Sequence, residues 1–177
     1  YFKEVQEIAR SVDVGVMDQM VKRLVRLNKD RGRLFLCGVG GSAANCTHAV
    51  CDFRKLAGIE AYTPADNIAE FSARANDEGL DTVFSGWLAV SRASQKDVLF
   101  VLSVGGGSLE RNVSASLVKA IDEAKRREMD VLGIVGRDGG YTKYKGDVVL
   151  VVPPVNPLNV TPHTEAFQAV IWHALVC

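Results

Sequence analysis

Apolar residues near the start of the chain recur every three or four positions, which is the spacing of one face of an α-helix. They are Val5, Ile8, Ala9, Val12, Val16, Met17, Met20, Val21, Leu24, Val25 and Leu27. The pattern predicts one amphipathic helix, or two in tandem, over about residues 2–30. The polar and glycine residues at 30–33 are expected to end it.

Five short apolar runs follow, separated by turn residues and by segments with helical spacing. The runs cover residues 34–37, 59–62, 98–103, 131–135 and 148–152. The run at 98–103 is almost continuously apolar, as expected of a strand buried on both faces. This alternation predicts a three-layer α/β/α sandwich with a five-stranded parallel sheet, in a single domain over residues 1–177. A last helix is predicted to begin at Pro162.

Two of the predicted strands run directly into turns rich in glycine and serine. The first turn covers residues 38–42 and precedes a helix over about 43–56. The second covers residues 103–108, and a helix is predicted to follow it at once and to reach about residue 127. Such turns present free amides at a helix start, which favours a bound phosphate. Each could instead be a tight turn that packs a helix on a strand.

The first turn also fits the G-x-G-x-x-A spacing of dinucleotide-binding units. Glu60 lies about 20 residues further on, where an acid that binds a ribose would be expected. A nucleotide-binding oxidoreductase is therefore one hypothesis. A dinucleotide site does not need the second glycine-rich turn, whereas a sugar phosphate held between two strand ends would use both.

Charge and cysteine content narrow the function classes. Lys and Arg number 21 and so do Asp and Glu, so the formal net charge is zero. This balance argues against general binding to nucleic acid or to anionic membranes.

No apolar run reaches the ~18 residues of a membrane span. The four cysteines, Cys37, Cys46, Cys51 and Cys177, contain no C-x-x-C pair. We therefore expect reduced thiols and a cytoplasmic location.

Several motifs together resemble the sugar isomerase (SIS) domain family, and within it the phosphoheptose isomerases, which interconvert sedoheptulose 7-phosphate and a heptose phosphate. Residues 36–44, Leu-Cys-Gly-Val-Gly-Gly-Ser-Ala-Ala, are similar to the family's G-N-G-G-S-A-A loop. The similarity continues at 76–79, 103–108 and 133–140, and in the last helix after Pro162. The resemblance implies a metal-assisted aldose–ketose isomerase that acts through an enediol, and a homo-oligomer, expected to be a tetramer.

The resemblance also implies a metal site, which in many members holds zinc. The family builds it from a His-x-x-x-Glu pair and from a Gln with a His eight residues later. The matching residues here are His48 with Asp52, and Glu165 with His173. Two imidazoles and two carboxylates suit zinc, and manganese or iron nearly as well. Alternatively, His48 is a core histidine and Asp52 a solvated helix residue.

By the same resemblance Asp52 is the catalytic base and His173 the acid, with Glu165 as an alternative base. The expected substrate contacts lie in the two turns, in the Asn-Asp segment and at the two carboxylates. They are Val39, Gly40, Gly41, Ser42, Asp52, Asn76, Asp77, Ser103, Val104, Gly105, Ser108 and Glu165. Asp77 could instead be a turn residue, and His163 is either a substrate contact or a helix-start residue.

The loops depart from the family pattern at several positions. Val39 replaces an asparagine, and the turn at 103–108 lacks two hydroxyl groups and an amide of the family's S-T-S-G-N-S loop. Asp52 is shorter than the family's glutamate by one carbon–carbon bond, about 1.5 Å. These differences keep a second hypothesis open, in which the chain is a non-catalytic regulatory protein that binds a sugar phosphate.

Overall fold

A computed structural model describes residues 1–177 and shows one parallel sheet between two layers of helices. The strands are β1 (Leu34–Gly38), β2 (Ala61–Tyr62), β3 (Val98–Ser103), β4 (Asp130–Val135) and β5 (Val148–Val151). The α-helices are α1 (Phe2–Ser11), α2 (Val14–Lys29), α3 (Gly41–Lys55), α4 (Ile68–Arg74), α5 (Val83–Val90), α6 (Ala115–Arg126), α7 (Gly140–Lys145) and α8 (Val160–Val176). The predicted three-layer sandwich is confirmed. None of the helices combines the length and the apolar character needed to cross a membrane.

The two faces of the sheet carry separate hydrophobic cores. Leu34 and Leu36 of β1 point into a core shared with α1, α2, α3 and α8. Phe35 and Cys37, one position along, point into a core shared with α5 and α6. Successive side chains along a strand point to opposite faces of the sheet. Because both faces of this sheet are covered by helices, its strands are apolar at nearly every position. Burial also raises the pKa of the Cys37 thiol above its ordinary value.

The order of the strands places a crevice beside β1. The sheet runs β2-β1-β3-β4-β5, and every neighbouring pair is parallel. The chain leaves β1 toward β2 on one side, and the later strands are added on the other side. The loops after β1 and β3 therefore diverge, and ligands bind at such a point in open α/β sheets.

The N-terminal region forms two helices because Asp13 begins α2 with a side-chain cap. Its Oδ1 accepts a hydrogen bond of 3.1 Å from the amide of Val16. Between β2 and β3 the chain is less regular than a single helix. A π-helical turn, Ala75–Gly79, and a 3₁₀ turn, Leu80–Thr82, separate α4 from α5.

The predicted helix start directly after Ser108 is wrong, because α6 begins at Ala115. The intervening residues form a loop closed by an antiparallel bridge between Ser108 and Val113. The short helix α7 was not predicted, and it packs against the turn at 105–107, where Gly107 accepts a hydrogen bond of 2.9 Å from the amide of Tyr141.

Helix α1 is held on the start of α8 by one carboxylate. Glu4 accepts hydrogen bonds from Asn156 at 2.7 Å, from Asn159 at 2.9 Å and from His163 Nε2 at 2.6 Å. These donors, His163 first, lower the pKa of Glu4 to about 2. The ring of Tyr1 stacks on His163 with 4.4 Å between centroids. Contacts to residues more than 150 positions away thus fix the N-terminal helix.

We expect Glu4→Gln to weaken the folded state at neutral pH, because an amide cannot accept charge-assisted hydrogen bonds. A carboxyl with a lowered pKa stabilises the fold above its ordinary pKa, and that contribution is lost as pH falls toward 2. The difference between wild type and variant in urea unfolding should therefore be largest at pH 7 and shrink by pH 3. Glu7→Gln, on the same helix, is the control. A difference that does not change with pH would contradict this account.

Candidate active site

The facing surfaces of α3 and α8 are joined by a polar network in which Gln168 and Ser42 are buried and Asn45 is half-buried. Asn45 Nδ2 donates hydrogen bonds of 2.9 Å to the Glu165 carbonyl and to Gln168 Oε1. Gln168 Nε2 in turn donates to Ser42 Oγ at 3.1 Å. Gln168 has no exposed surface and Ser42 is 1% exposed. Because each group is satisfied only in this arrangement, the network fixes how the two helices align.

His48, Asp52 and His173 meet at the surface between these helices. Asp52 Oδ2 lies 3.8 Å from His48 Nε2 and 3.6 Å from His173 Nε2. One ligand atom from each residue lies within 4.8 Å of the other two. The side chain of His48 is 59% exposed and that of His173 is 44% exposed, so the group opens to solvent.

The tautomer of His173 follows from its neighbours. Nδ1 lies 2.6 Å from the Ala169 carbonyl, which can only accept a hydrogen bond. Nδ1 therefore carries the hydrogen, and Nε2 is left with a lone pair or a second proton on the side of Asp52. A histidine held in this way is suited to metal binding or to proton transfer at Nε2.

The three residues fit a single divalent metal ion. Ligands about 2.0–2.2 Å from one ion in tetrahedral geometry lie roughly 3–4 Å from each other. The two distances from Asp52 to the histidines, 3.8 Å and 3.6 Å, fall in this range. Two imidazoles and one carboxylate are a common donor set for catalytic zinc, which leaves a position for water or substrate.

Glu165, the fourth expected ligand, lies outside this group. A Cβ added to Gly41 would come within 2.6 Å of the Glu165 carboxyl carbon and 2.7 Å of both its oxygens. The carboxylate thus rests on the first residue of α3, where the positive end of the helix favours a negative charge. Gly41 lies seven positions before His48, about 10 Å along the helix axis.

A cavity of about 570 Å³ opens at the carboxyl end of β1. Its lining includes Gly38, Val39 and Gly40, the first turn of α6, and apolar residues between β2 and α5. Asp81 also lines it, and a hydrogen bond from Lys119 lowers the pKa of that carboxyl. Of the expected substrate contacts, Val39 and Gly40 border this cavity.

Other expected substrate contacts lie elsewhere or bond within the chain. Ser103 Oγ accepts from the Gly106 amide at 3.0 Å. Asn76 and Asp77 are exposed and bond to each other at 2.7 Å. Ser108 and Gly105 border a second cavity of about 480 Å³ beside the turn at 137–140. Val104 accepts from the Gly136 amide at 3.1 Å and borders neither cavity.

The positions of His163 and Glu60 bear on the roles that were predicted for them. His163 is 2% exposed and hydrogen-bonded to Glu4, so it is a helix-start residue that anchors α1. Glu60 directly precedes β2, which runs parallel to β1 with Ala61 beside Leu34. Glu60 therefore lies at the amino end of the sheet, while the turn at Gly38 lies at the carboxyl end. This separation does not suit a ribose-binding acid.

Sequence reasoning missed Asn45 and Gln168, which hold the site together. A signal was present, because Gly41, Asn45, His48 and Asp52 recur at intervals of four, three and four, which places them on one helix face. Asn45 thus belongs to the same stripe as the expected metal ligands. The partner of that stripe, Gln168, required knowledge of which helix packs there.

Comparison with known proteins gives concordant matches. A family model described as SIS domain matches residues 1–136. The phosphoheptose isomerase of Helicobacter pylori is 30% identical over 90% of this chain and 80% of that protein. The phosphoheptose isomerase of Chlorobaculum tepidum is 31% identical over 86% and 73%. The solved phosphoheptose isomerase of Neisseria gonorrhoeae superposes with a TM-score of 0.86 at 26% identity, covering 99% and 93% of the two chains.

The three glycines at 105–107 should not be equivalent, because one of them packs against backbone. A Cβ on Gly106, which has φ +69°, would lie 1.9 Å from the Gly139 carbonyl oxygen, whereas a Cβ on Gly105 meets nothing within 4 Å. We expect Gly106→Ala to lower the free energy of unfolding by about 2 kcal/mol or more. Gly105→Ala, the matched control, should change it by less than about 0.5 kcal/mol. Equal values in denaturant titrations would show that the packing of Gly106 does not matter.

Proposed function

We propose that this chain, which belongs to the SIS domain family, is an aldose–ketose isomerase of a phosphorylated sugar, with sedoheptulose 7-phosphate as the first substrate to test. The similarity to phosphoheptose isomerases over most of both chains supports the reaction class. The observation that carries the proposal is the convergence of His48, Asp52 and His173 between α3 and α8. Four cysteines without disulfides are consistent with the proposed cytoplasmic location.

The reaction moves a proton between adjacent carbons. Asp52 acts as the base that removes the proton from the carbon beside the carbonyl group, which gives an enediol. The same carboxyl group returns the proton to the neighbouring carbon. Without a bound ion, His173 moves a proton between the two oxygens through Nε2, since Nδ1 is committed to the Ala169 carbonyl. With an ion on Nε2, the histidine would act as a ligand and would not transfer the proton. A paired acid and base of this kind typically contribute 10²–10⁴-fold in rate.

A divalent ion is proposed as the cofactor, with zinc as the first candidate. His48, Asp52 and His173 would hold it. When bound, the ion would polarise the carbonyl group of the sugar as a Lewis acid. The side chain of Asp52 is only 17% exposed, which limits the movement of the carboxylate.

We further propose a homo-oligomer, expected to be a tetramer, because one protomer does not bring the cavity and the histidines together. Ala43 borders the cavity, and Asp52 lies nine residues further along α3. Nine residues of helix span about 13 Å and end on nearly the opposite face. A substrate held in the cavity of one copy would therefore meet the histidines of another.

A non-catalytic sugar phosphate sensor is the second candidate function. Val39, which cannot hydrogen-bond through its side chain, borders the cavity and favours it. Proton exchange separates the two candidates, because a sensor binds a sugar phosphate without exchanging its carbon-bound hydrogen for solvent deuterium.

We expect Asp52→Asn to slow isomerisation of sedoheptulose 7-phosphate by 10²–10⁴-fold, since the amide cannot take up a proton. Deuterium incorporation from D₂O, followed by NMR, should fall in parallel. Cys51→Ser, an exposed neighbour on the same helix, is the control. Metal analysis of the wild type and of His48→Ala should show about one ion per chain, lost in the variant. If the wild type binds the sugar phosphate and exchanges no hydrogen, the sensor hypothesis replaces the enzyme.

Two inactive variants should restore activity in mixed oligomers if the site is shared between copies. Ala43→Phe fills the cavity, and Asp52→Asn removes the base. Refolded together, the two variants should regain roughly a quarter of wild-type activity, because some interfaces combine an intact cavity with an intact base. A mixture as inactive as its components would place each site within one protomer.

A further inference from the structure

One fully buried aromatic side chain, Trp172 of α8, contacts both histidines of the candidate site. Its indole ring stacks on the His173 ring, with 3.6 Å between centroids and 25° between planes. It also meets the His48 ring edge-on, at 4.8 Å and 73°. The indole has no exposed surface and belongs to the core shared by α1, α2, α3 and α8. A single rigid ring of one protomer thus touches two exposed imidazoles.

The direction of the His173 ring is fixed at two places. Neighbouring residues of a helix normally point in different directions, so the stacking of His173 on Trp172 requires a particular side-chain rotamer. The ring is turned back along α8, where Nδ1 meets the Ala169 carbonyl at 2.6 Å. A hydrogen bond at one atom leaves a ring free to tilt about that contact. Because the indole face removes this freedom, Nε2 keeps its direction toward Asp52, 3.6 Å away.

The His48 ring has no hydrogen bond within the chain that could orient it. Its contact to Asp52 Oδ2, at 3.8 Å, is too long for a hydrogen bond. The ring is instead bounded by the Trp172 indole and by the His173 ring, whose centroid lies 5.2 Å away at 82°. Histidines that bind metals are usually oriented by a hydrogen bond at the second ring nitrogen. At His48, aromatic packing has to supply that orientation.

The hydrophobic core does not need an indole at position 172. The Nε1–H group of Trp172 is buried and has no hydrogen-bond partner. An unpaired buried donor destabilises the folded state, so a purely apolar ring would fill this part of the core without that disadvantage. A smaller ring would not lie under one imidazole and against the other at the same time. The size of the indole therefore matters for the histidines more than for the core.

We propose that Trp172 is a positioning residue, which holds both imidazoles so that their Nε2 atoms face Asp52. The lone pair of an imidazole nitrogen lies in the plane of the ring. The tilt of each ring therefore decides whether both nitrogens can bind one ion, or whether one can exchange a proton with the carboxylate. The consequences for metal binding and turnover rest on the proposed function. The orientation of the rings can be measured without either.

The first test is the zinc affinity of the full chain, measured by competition with a chromophoric chelator. Trp172→Phe should weaken zinc binding by about tenfold or more, the effect typical of losing a group that orients a ligand. Trp87→Phe is the matched control, because Trp87 is the other tryptophan of the chain and lies in the core on the opposite face of the sheet. The zinc that counts is the part lost in His48→Ala. Equal affinities of the two tryptophan variants would overturn the proposal.

The second test is the relative direction of the imidazoles in the metal-free protein, measured by NMR. The chain has three histidines, so their ring protons can be assigned by substitution. A nuclear Overhauser contact between the His48 and His173 rings should be present in the wild type and be lost or weakened in Trp172→Phe. Trp87→Phe should keep it, and the ring protons of His163 should be unchanged in both variants. Absence of the contact in the wild type would overturn the proposal whatever the stability of the variants, as would an unchanged contact in Trp172→Phe.

Activity separates this inference from the proposed function. If the chain isomerises a sugar phosphate, Trp172→Phe should lower kcat by about tenfold or more and leave KM unchanged, because a side chain with no exposed surface cannot touch the substrate. An active wild type, with kcat, zinc affinity and ring contact unchanged in this variant, would remove the positioning role and keep the isomerase. A wild type that isomerises no sugar phosphate, with zinc affinity and ring contact that still depend on Trp172, would remove the isomerase and keep the positioning role.

Discussion

The pairing of α3 with α8 is the constraint on which the candidate active site depends. These helices are more than one hundred residues apart in the chain, and each carries part of the His48, Asp52 and His173 group. Apolar packing alone would tolerate sliding of one helix over the other. The hydrogen bonds that join Asn45, Gln168 and Ser42 do not, because a shift would leave the fully buried Gln168 amide unsatisfied. Specificity of alignment is thus supplied by amides, while the surrounding hydrophobic core supplies the stability.

The fold was largely predictable because its strands are marked by local composition. Residues 98–103 and 131–135 are apolar runs that no exposed segment would carry, and both are strands. His48 and Asp52 could be paired from the sequence because residues four positions apart on a helix lie on the same face, independently of the tertiary structure. The neighbourhood of Asp52 and His173 could be expected from the family resemblance alone, since no local pattern tells which two helices meet.

The start of α6 illustrates what local patterns cannot give. A glycine-rich turn after a buried strand is typical of a helix start, yet here the chain continues to Ala115 before the helix begins. The helix starts late because of a tertiary contact. The glycine-rich turn packs against the start of α7, where the backbones of Gly106 and Gly139 are in contact. Free helix-start amides are therefore displaced from the serines of the motif to Ala115 and Ser116. A motif can thus be kept in sequence while the helix start that it predicts lies several residues further on.

The choice between Asp52 and Glu165 as base can be argued from what each carboxylate contacts. Aspartate at position 52 is shorter than the glutamate of the family. Its Oδ2 nevertheless lies 3.8 Å from His48 Nε2 and 3.6 Å from His173 Nε2, so the shorter side chain still reaches both histidines. Glu165 lies against Gly41 at the start of α3, outside the group formed by His48, Asp52 and His173. A base that must accept and return a proton is better served by Asp52, whose neighbours are groups that exchange protons. The proposed mechanism therefore gives proton transfer to Asp52, while Glu165 packs against the start of α3.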